Sequence, residues 1–178
     1  MKSIDDIHWF SKHLLINKLQ SKKWLCEELK KIISPNDVCI LGSWYPTFLP
    51  HILGDCNYTC VDIDQSVINV SKKFNSRLKH RSNFKYICAD AKNFIYSSNK
   101  KFDCIINTSC EHMKYDMKDL VVKDCVYAFQ SNNYNIEEHI NYKNDLKEFI
   151  DSTGLNNILY SGTKKLKKYD RYMVIGKV

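Results

Sequence analysis

The feature that most limits how this chain can fold is the regular alternation of short apolar segments with longer amphipathic ones. After residue 37, five apolar runs occur, at 38–41, 58–61, 84–88, 102–106 and 126–129. Such nearly continuous apolar runs are typical of strands that a parallel sheet buries on both faces. The stretches between them have apolar residues at helical spacing and lie at about 46–53, 65–79, 114–123 and 143–152. This alternation is the pattern of an α/β fold.

Further segments at both ends of the chain complete the predicted fold. Two apolar runs near the C-terminus raise the number of predicted strands to seven and lie at 155–160 and 172–175. Residues 3–33 have the apolar spacing of helices, which end before Pro35. We therefore predict an α/β fold with a doubly wound, mostly parallel seven-stranded sheet, helices on both faces and an N-terminal helical extension.

The length and texture of the chain predict one domain. A chain of 178 residues has the usual size of a single domain. No glycine-rich or proline-rich linker divides it. We therefore expect one domain over 1–178, in which N-terminal helices at 1–35 precede an α/β core at 36–178.

The eight cysteines indicate a reducing compartment rather than a disulfide framework. None has CxxC spacing, and four lie in predicted strands, at positions 39, 60, 88 and 104, where a thiol acts as a small buried apolar group. We expect reduced thiols, no metal site and a cytoplasmic location. The N-terminus lacks the core of a signal peptide, and no apolar stretch approaches the roughly 20 residues of a membrane span. We therefore expect no membrane partner.

The net charge of +7 favours anionic partners, because long-range attraction concentrates ligands of opposite charge. Much of the excess lies in lysine clusters, of which the largest occupies 164–168. The charge does not distinguish a nucleic acid from an acidic small molecule, and a solvated lysine-rich surface explains it equally well.

Small and polar residues stand where four of the predicted strands end, namely Gly42 with Ser43, Asp62, Asp90 and Asn107. In a doubly wound sheet, ligands bind in the crevice outside the carboxyl ends of the strands, so we expect these residues to share a site. Asp62 follows the glycine turn by about 20 residues, a position from which a carboxylate binds both hydroxyls of a ribose. Asp90 is a candidate for an adenine amino group or, alternatively, for a helix cap.

The order and content of these segments resemble the class I, Rossmann-like methyltransferases that depend on S-adenosylmethionine. The matching stretches are 38–43, 58–64, 86–91 and 102–107. The resemblance implies S-adenosylmethionine as the cofactor, with its methionine part beside Gly42 and Ser43 and its ribose at Asp62. Asp90 and Ala91 are expected to meet the adenine. The expected cofactor residues are Gly42, Ser43, Trp44, Asp62, Ile63, Asp90, Ala91 and Asn107.

The loop after the first strand departs from the pattern of that family. Ile40 and Leu41 stand where the family has an acidic residue before its first glycine. Residues 44–46, Trp-Tyr-Pro, stand where further glycines are usual. Two interpretations stay open: either Trp44 or Tyr45 packs on the cofactor, or cofactor binding is weakened or lost.

Polar residues after the fourth and fifth strands are candidates for acting on a substrate. Glu111 and His112 are predicted to work as an acid and base, although they also suit the flank of a helix. Cys110 is a weaker candidate, as a nucleophile, because a reactive cysteine needs a lowered pKa. Asn132 and Asn133 are predicted to form a hydrogen-bonding substrate wall, with a polar turn as the alternative.

We therefore predict an S-adenosylmethionine-dependent methyltransferase of minimal size, whose methyl acceptor is a small molecule or a nucleic acid. The acceptor is expected between the loops after the fourth and fifth strands, with Trp9 and Tyr45 beside it. The alternative is a catalytically inactive protein of the same fold that binds a ligand or partner, which the altered first loop favours. Another nucleotide-binding enzyme is disfavoured, because no GxGxxG or GxxxxGK[ST] stretch is present.

Overall fold

The computed structural model describes residues 19–44, 48–76, 82–122 and 124–178, so Trp9 and Tyr45 lie outside the described residues. Within these ranges seven strands form one sheet. They are β1 (Asp37–Leu41), β2 (Asn57–Asp62), β3 (Asn83–Cys88), β4 (Cys104–Asn107), β5 (Val126–Asn132), β6 (Asn157–Lys165) and β7 (Asp170–Lys177). Their order across the sheet is β3-β2-β1-β4-β5-β7-β6.

The first five strands are parallel, and the last two are antiparallel to their neighbours. β1 pairs in parallel with both β2 and β4, whereas β7 pairs antiparallel with β5 and β6. The chain therefore moves outwards from β1 through β2 and β3, and in the opposite direction from β4 onwards. Such a reversal of strand order opens a crevice outside the carboxyl ends of the strands. The predicted doubly wound, mostly parallel sheet is confirmed.

Helices cover both faces of the sheet, as predicted. The described helices are α1 (19–32), α2 (Phe48–Leu53), α3 (Gln65–Asn75), α4 (Ala91–Ser97) and α5 (Leu146–Thr153). Cys39 and Leu41 of β1 pack with α4 and α5, whereas Val38 and Ile40 pack with α1 and α2. This alternation follows from the two-residue period of a strand. No helix among the described residues has the length and apolar character needed to cross a membrane.

Two helical segments differ from the prediction. Where an α-helix was predicted at 114–123, the described residues contain only a short 3-10 turn, Met117–Asp119. Met117 and Leu120 are buried and three positions apart, a spacing that suits the three residues per turn of a 3-10 helix. α4 was not predicted, because seven residues are too few to display a helical period.

β5 is longer than predicted and includes the polar residues Gln130, Ser131 and Asn132, all of them buried. Buried polar groups are costly unless they are hydrogen-bonded, which is why the strand was expected to end before them. Pairing with β7 satisfies their backbone, and Asn132 stands opposite Arg171. The Gln130 amide donates to the Ser21 carbonyl at 2.9 Å.

The packing of the cysteines leads to a direct test of the fold. All eight are free thiols, and Cys88 alone is exposed. Burial raises the pKa of the Cys26, Cys60 and Cys125 thiols to about 12, which suppresses the reactive thiolate. We expect a thiol reagent at neutral pH to label one cysteine rapidly in the folded protein and all eight in denaturant. Cys88→Ser should abolish the rapid phase, whereas rapid labelling of several thiols would contradict this packing.

Candidate functional site

A crevice of about 790 Å³ opens at the carboxyl ends of the parallel strands. This volume is in the range of small-molecule sites. Its walls come from α1, the turn after β1, the end of β2, the turn between β3 and α4, the segment after β4, the loop after β5 and the start of β7. The predicted site residues that line it are Gly42, Trp44, Asp62, Ile63, Asp90, Ala91, Glu111, His112 and Asn132.

The turn after β1 bends back onto the end of β2. Gly42 has a φ of +57°, and a Cβ at this position would lie 2.8 Å from Met113 Cε. Trp44 also has a positive φ, of +45°, and its N–H donates to Asp62 Oδ2 at 2.8 Å. Left-handed backbone at a non-glycine residue is strained, and such strain occurs mostly at functional sites. Trp44 is 46% exposed in the crevice wall, so its indole is accessible to a ligand.

Two backbone donors hold the Asp62 carboxylate in the crevice wall. Oδ2 accepts the Trp44 N–H at 2.8 Å, and Oδ1 accepts the Asp64 N–H at 3.1 Å. A carboxylate has about four lone-pair positions, so each oxygen can accept a further hydrogen bond. This geometry suits a ligand with two adjacent hydroxyl groups.

Asp90 both caps α4 and lines the crevice. Its Oδ1 accepts the N–H groups of Lys92 and Asn93 at 3.0 and 3.1 Å. Burial disfavours the charged carboxylate, but these donors and the Lys114 ammonium, 3.4 Å from Oδ2, outweigh burial and lower the pKa of Asp90. The cap considered for Asp90 is therefore present, and the charged carboxylate also borders the crevice.

Three predicted residues do not line the crevice. Ser43 is buried, and its Oγ has no hydrogen-bond partner among the described residues. Asn107 Oδ1 accepts the Ser109 N–H, and Asn133 Oδ1 accepts the Asp170 N–H, each at 2.8 Å. Both asparagines therefore satisfy backbone donors close to the ends of their strands. The Asn133 contact joins the loop after β5 to the start of β7, whereas Asn132 Oδ1 accepts the Tyr134 N–H at 2.8 Å, which is the polar-turn arrangement.

A buried ion pair lies in the crevice wall. Glu111 Oε1 is 2.6 Å from an Arg171 guanidinium nitrogen, and the two side chains are 5% and 8% exposed. Arg171 also donates to the Thr108 carbonyl. Burial lowers the pKa of Arg171, but the carboxylate outweighs burial and raises it above the ordinary value. Glu111 Oε2 is buried and has no hydrogen-bond partner in the described part of the chain.

His112 and His139 face each other in the same wall, with ring centroids 4.6 Å apart and ring planes at 85°. His112 Nδ1 lies 2.9 Å from the Glu138 carbonyl oxygen, and His139 Nδ1 lies 2.7 Å from that of Tyr134. Because a carbonyl oxygen only accepts, we assign the ring proton to Nδ1 in both. One ligand atom each from Glu111, His112 and His139 lies within 4.8 Å of the other two.

Several crevice residues were not predicted, among them Tyr115, Tyr134, His139, Tyr169 and Arg171. The rings of Tyr134 and Tyr169 stack at 5.4 Å. Tyr169 and Arg171 reach the crevice only because β7 runs antiparallel beside β5. No spacing of residues within the sequence predicts this pairing. The available signal for Tyr134 and His139 was the run of polar and aromatic residues that follows the fifth apolar segment.

Cys110 does not suit the role of a nucleophile. It is 3% exposed, and its thiol lies 3.6 Å from the Asn107 carbonyl. Burial raises the pKa of Cys110 well above its ordinary value, which disfavours the thiolate that a nucleophile needs. It is also not among the residues that line the crevice.

The ion pair leads to a stability prediction. Arg171→Met leaves the Glu111 carboxylate buried without its partner, so we expect the free energy of unfolding to fall by about 3–5 kcal/mol. Lys114→Met is the matched control, because the Lys114 side chain is 68% exposed in its pair with Asp90. The control should lose less than about 1 kcal/mol. Urea unfolding followed by circular dichroism measures both, and equal losses would contradict the structural role of the buried pair.

Several solved structures that share this fold are methyltransferases. A magnesium protoporphyrin IX methyltransferase from Synechocystis PCC 6803, with bound SAM, is 13% identical with a TM-score of 0.69, over 94% of this chain and 83% of its own. The N-methyltransferase NodS from Bradyrhizobium japonicum WM9 is 12% identical with a TM-score of 0.68, over 89% of this chain and 94% of its own. The 16S rRNA methylase ArmA is 13% identical with a TM-score of 0.62, over 98% and 91%. At these identities the likeness establishes the fold.

The family is established by a match in sequence. A search of curated proteins finds no match. The family model of the spermine/spermidine synthase domain matches residues 56–156, which is more than half of the chain. The matched segment runs from the start of β2 to just beyond α5 and includes Asp62, Asp90 and Glu111. The chain therefore belongs to the spermine/spermidine synthase domain family, and its fold is the class I methyltransferase fold.

Proposed function

We propose that this chain binds S-adenosylmethionine in the crevice and transfers its methyl group to an acceptor held between the segment after β4 and the loop after β5. The observation that carries the proposal is the oriented Asp62 carboxylate at the end of β2, opposite the Gly42 turn. Solved structures of the same fold contain SAM or SAH, among them the magnesium protoporphyrin IX methyltransferase and NodS. Their likeness supports the cofactor assignment.

The residues present fit the parts of this cofactor. Asp62 can accept hydrogen bonds from the two ribose hydroxyls through its remaining lone pairs. Ile63 is 69% exposed and lines the crevice together with Ala91, so an apolar surface is available to the adenine ring. Asp90 adds an acceptor for the adenine amino group. Trp44 lines the part of the crevice beside Gly42, where the methionine part of the cofactor is expected. This position agrees with the interpretation that Trp44 packs on the cofactor.

The chain contributes alignment more than bond-breaking chemistry. The bound cofactor would supply an electrophilic methyl group on a positively charged sulfur. The protein then has to hold the acceptor atom in line with that methyl group and exclude water, and such positioning lowers the barrier by several kcal/mol. His112 lines the crevice with Nε2 unprotonated in the assigned tautomer, so it can take a proton from the acceptor. Glu111 is held by Arg171 and is less suited to proton transfer.

The acceptor is proposed to be a small molecule or a nucleic acid, and the crevice has features suited to each. Its volume matches a small-molecule site, whereas Lys22, Lys114 and the stacked Tyr134 and Tyr169 suit an anionic, aromatic ligand. The similar structures include both a porphyrin methyltransferase and an rRNA methylase. Transfer of labelled methyl groups to separated small-molecule and RNA pools of a cell lysate distinguishes them. Label in RNA that falls steeply with salt indicates a nucleic acid.

The family match favours a second candidate, the synthesis of a polyamine. Carboxylates that line the crevice, including Asp62, Asp90 and Glu138, could attract a cationic amine. Mass spectrometry of the products separates the two functions, because methyl transfer adds one methyl group to the acceptor whereas polyamine synthesis makes a longer chain.

The ribose assignment leads to a binding prediction. Asp62→Ala should weaken S-adenosylmethionine binding by about 1–3 kcal/mol, the cost of leaving buried hydrogen-bonding groups without partners. Asp64→Ala is the control, because Asp64 accepts from Ser66 and Val67 at the start of α3 and does not line the crevice. Calorimetric titration measures both. Equal affinities in folded Asp62→Ala and parent protein would exclude the assignment, and no binding by the parent would support a catalytically inactive protein.

The proton-transfer role leads to a kinetic prediction. His112→Asn keeps much of the size and hydrogen bonding of the side chain but removes the base, so we expect methyl transfer to fall by about 100-fold or more. The affinity for S-adenosylmethionine should stay the same, because the cofactor is assigned to the Asp62 side of the crevice. Label transfer and calorimetry measure the two quantities. Undiminished turnover would show that His112 is not the base.

A further inference from the structure

We infer that Glu111, His112 and His139 form a binding site for one divalent transition-metal ion in the wall of the crevice. Each residue offers one ligand atom, and these atoms lie within 4.8 Å of one another. Two histidines and one carboxylate are a recurrent ligand set for zinc and for non-haem iron. The three side chains come from two segments, the 3-10 turn Cys110–His112 and the loop after β5.

The two histidines have the orientation of metal ligands. A histidine that binds a metal through one ring nitrogen almost always donates the other N–H to a carbonyl or carboxylate, which fixes its tautomer. His112 and His139 make these contacts through Nδ1 with the carbonyl oxygens of Glu138 and Tyr134, at 2.9 and 2.7 Å. In the neutral ring, Nε2 is then the nitrogen with a free lone pair. Each histidine therefore keeps one nitrogen available to a metal ion while the other holds the ring in place.

The carboxylate supplies an independent observation. Glu111 is 4% exposed, and its Oε2 has no hydrogen-bond partner in the described ranges. A buried carboxylate oxygen without a partner carries a desolvation cost that no hydrogen bond offsets. Arg171 binds Oε1 only, so Oε2 can bind a cation without breaking the ion pair. A metal ion bound to this oxygen would give it a partner.

The segments that carry the ligands are fixed to each other. The Asn141 N–H donates to the Glu111 carbonyl at 2.9 Å, and its side-chain amide donates to the Tyr115 carbonyl at 3.0 Å. Lys143 is 2.8 Å from Asp116 in a second contact between the same loop and the segment after β4. The loop that carries His139 is therefore tied to the turn that carries Glu111. These contacts limit how far the two segments that carry the ligands can move apart.

The ligand types select the kind of ion. Magnesium and calcium prefer oxygen ligands, whereas two imidazoles and one carboxylate suit Zn²⁺, Fe²⁺, Co²⁺ or Mn²⁺. Metal–ligand bonds of about 2.0–2.2 Å bring ligand atoms closer than 4.8 Å, so binding requires shifts on the order of 1 Å. His112 is exposed and His139 half-buried, which allows such movement.

A bound ion would leave coordination positions open to the crevice, and these would take an oxygen atom of the acceptor. This consequence rests on the proposed function, whereas the metal site does not. With an ion present, His112 would act as a ligand rather than as the base, and a hydroxyl of the acceptor bound to the ion would lose its proton more readily. Dependence of methyl transfer on added Zn²⁺ or Mn²⁺ separates the two roles of His112.

The test is calorimetric titration of the full chain with Zn²⁺, and with Mg²⁺ as the oxygen-preferring control. Both titrations use Cys88→Ser protein, because the exposed Cys88 thiol is a competing ligand for zinc. We expect one equivalent of Zn²⁺ to bind, at least about tenfold more tightly than Mg²⁺. Absence of saturable Zn²⁺ binding would overturn the inference.

Matched variants connect the binding to the three residues. His139→Gln and Glu111→Gln should each weaken Zn²⁺ binding by at least about tenfold, whereas His51→Gln in α2, away from the crevice, should not. Equal affinity in His139→Gln and parent protein would overturn the site, even if Glu111→Gln fails to fold. Titration of the metal-free protein with S-adenosylmethionine tests the proposed function separately, because failure there leaves the zinc result unchanged.

Discussion

The buried contact between Glu111 and Arg171 joins two parts of the sheet that are not neighbours. Glu111 belongs to the 3-10 turn after β4 and Arg171 to β7, and β5 lies between these strands. Charges are tolerated inside a protein only when each compensates the other. The pair therefore fixes the turn that carries His112 against the antiparallel end of the sheet. The wall of the crevice keeps its shape because separating this pair would leave an uncompensated charge buried.

Much of the parallel half of the fold could be predicted because most of the residues that the sheet buries there are apolar. β4 is buried along its whole length and three of its four residues are apolar, so its composition predicts a buried strand. The strand prediction failed where buried residues are polar. Gln130 and Ser131 are buried in β5, and their backbone is satisfied by β7, a partner that is distant in sequence. The spacing of Met117 and Leu120 is compatible with two kinds of helix, so it could not distinguish an α-helix from a 3-10 turn.

The candidate site could be predicted best for residues that end a strand or lie within a few positions of its end. Asp62 and Asp90 end or follow β2 and β3, so the strand pattern fixes their location. Arg171 and His139 reach the crevice through the antiparallel pairing of β7 and the course of the loop after β5. Neither the β7 pairing nor the course of this loop produces a recognisable spacing of residues in the sequence. A ligand set drawn from two separate segments therefore has no motif, and only the folded chain reveals it.

The position of Cys88 gives the molecule a built-in attachment point for a reporter group. Cys88 ends β3, and its thiol lies 3.4 Å from the carbonyl oxygen of Ile63, a residue of the crevice wall. It is the one exposed thiol among eight. An environment-sensitive fluorophore attached there stands beside the crevice without belonging to its lining. The protein can therefore be labelled without any substitution, and the fluorescence of the label would report the binding of a ligand in the crevice.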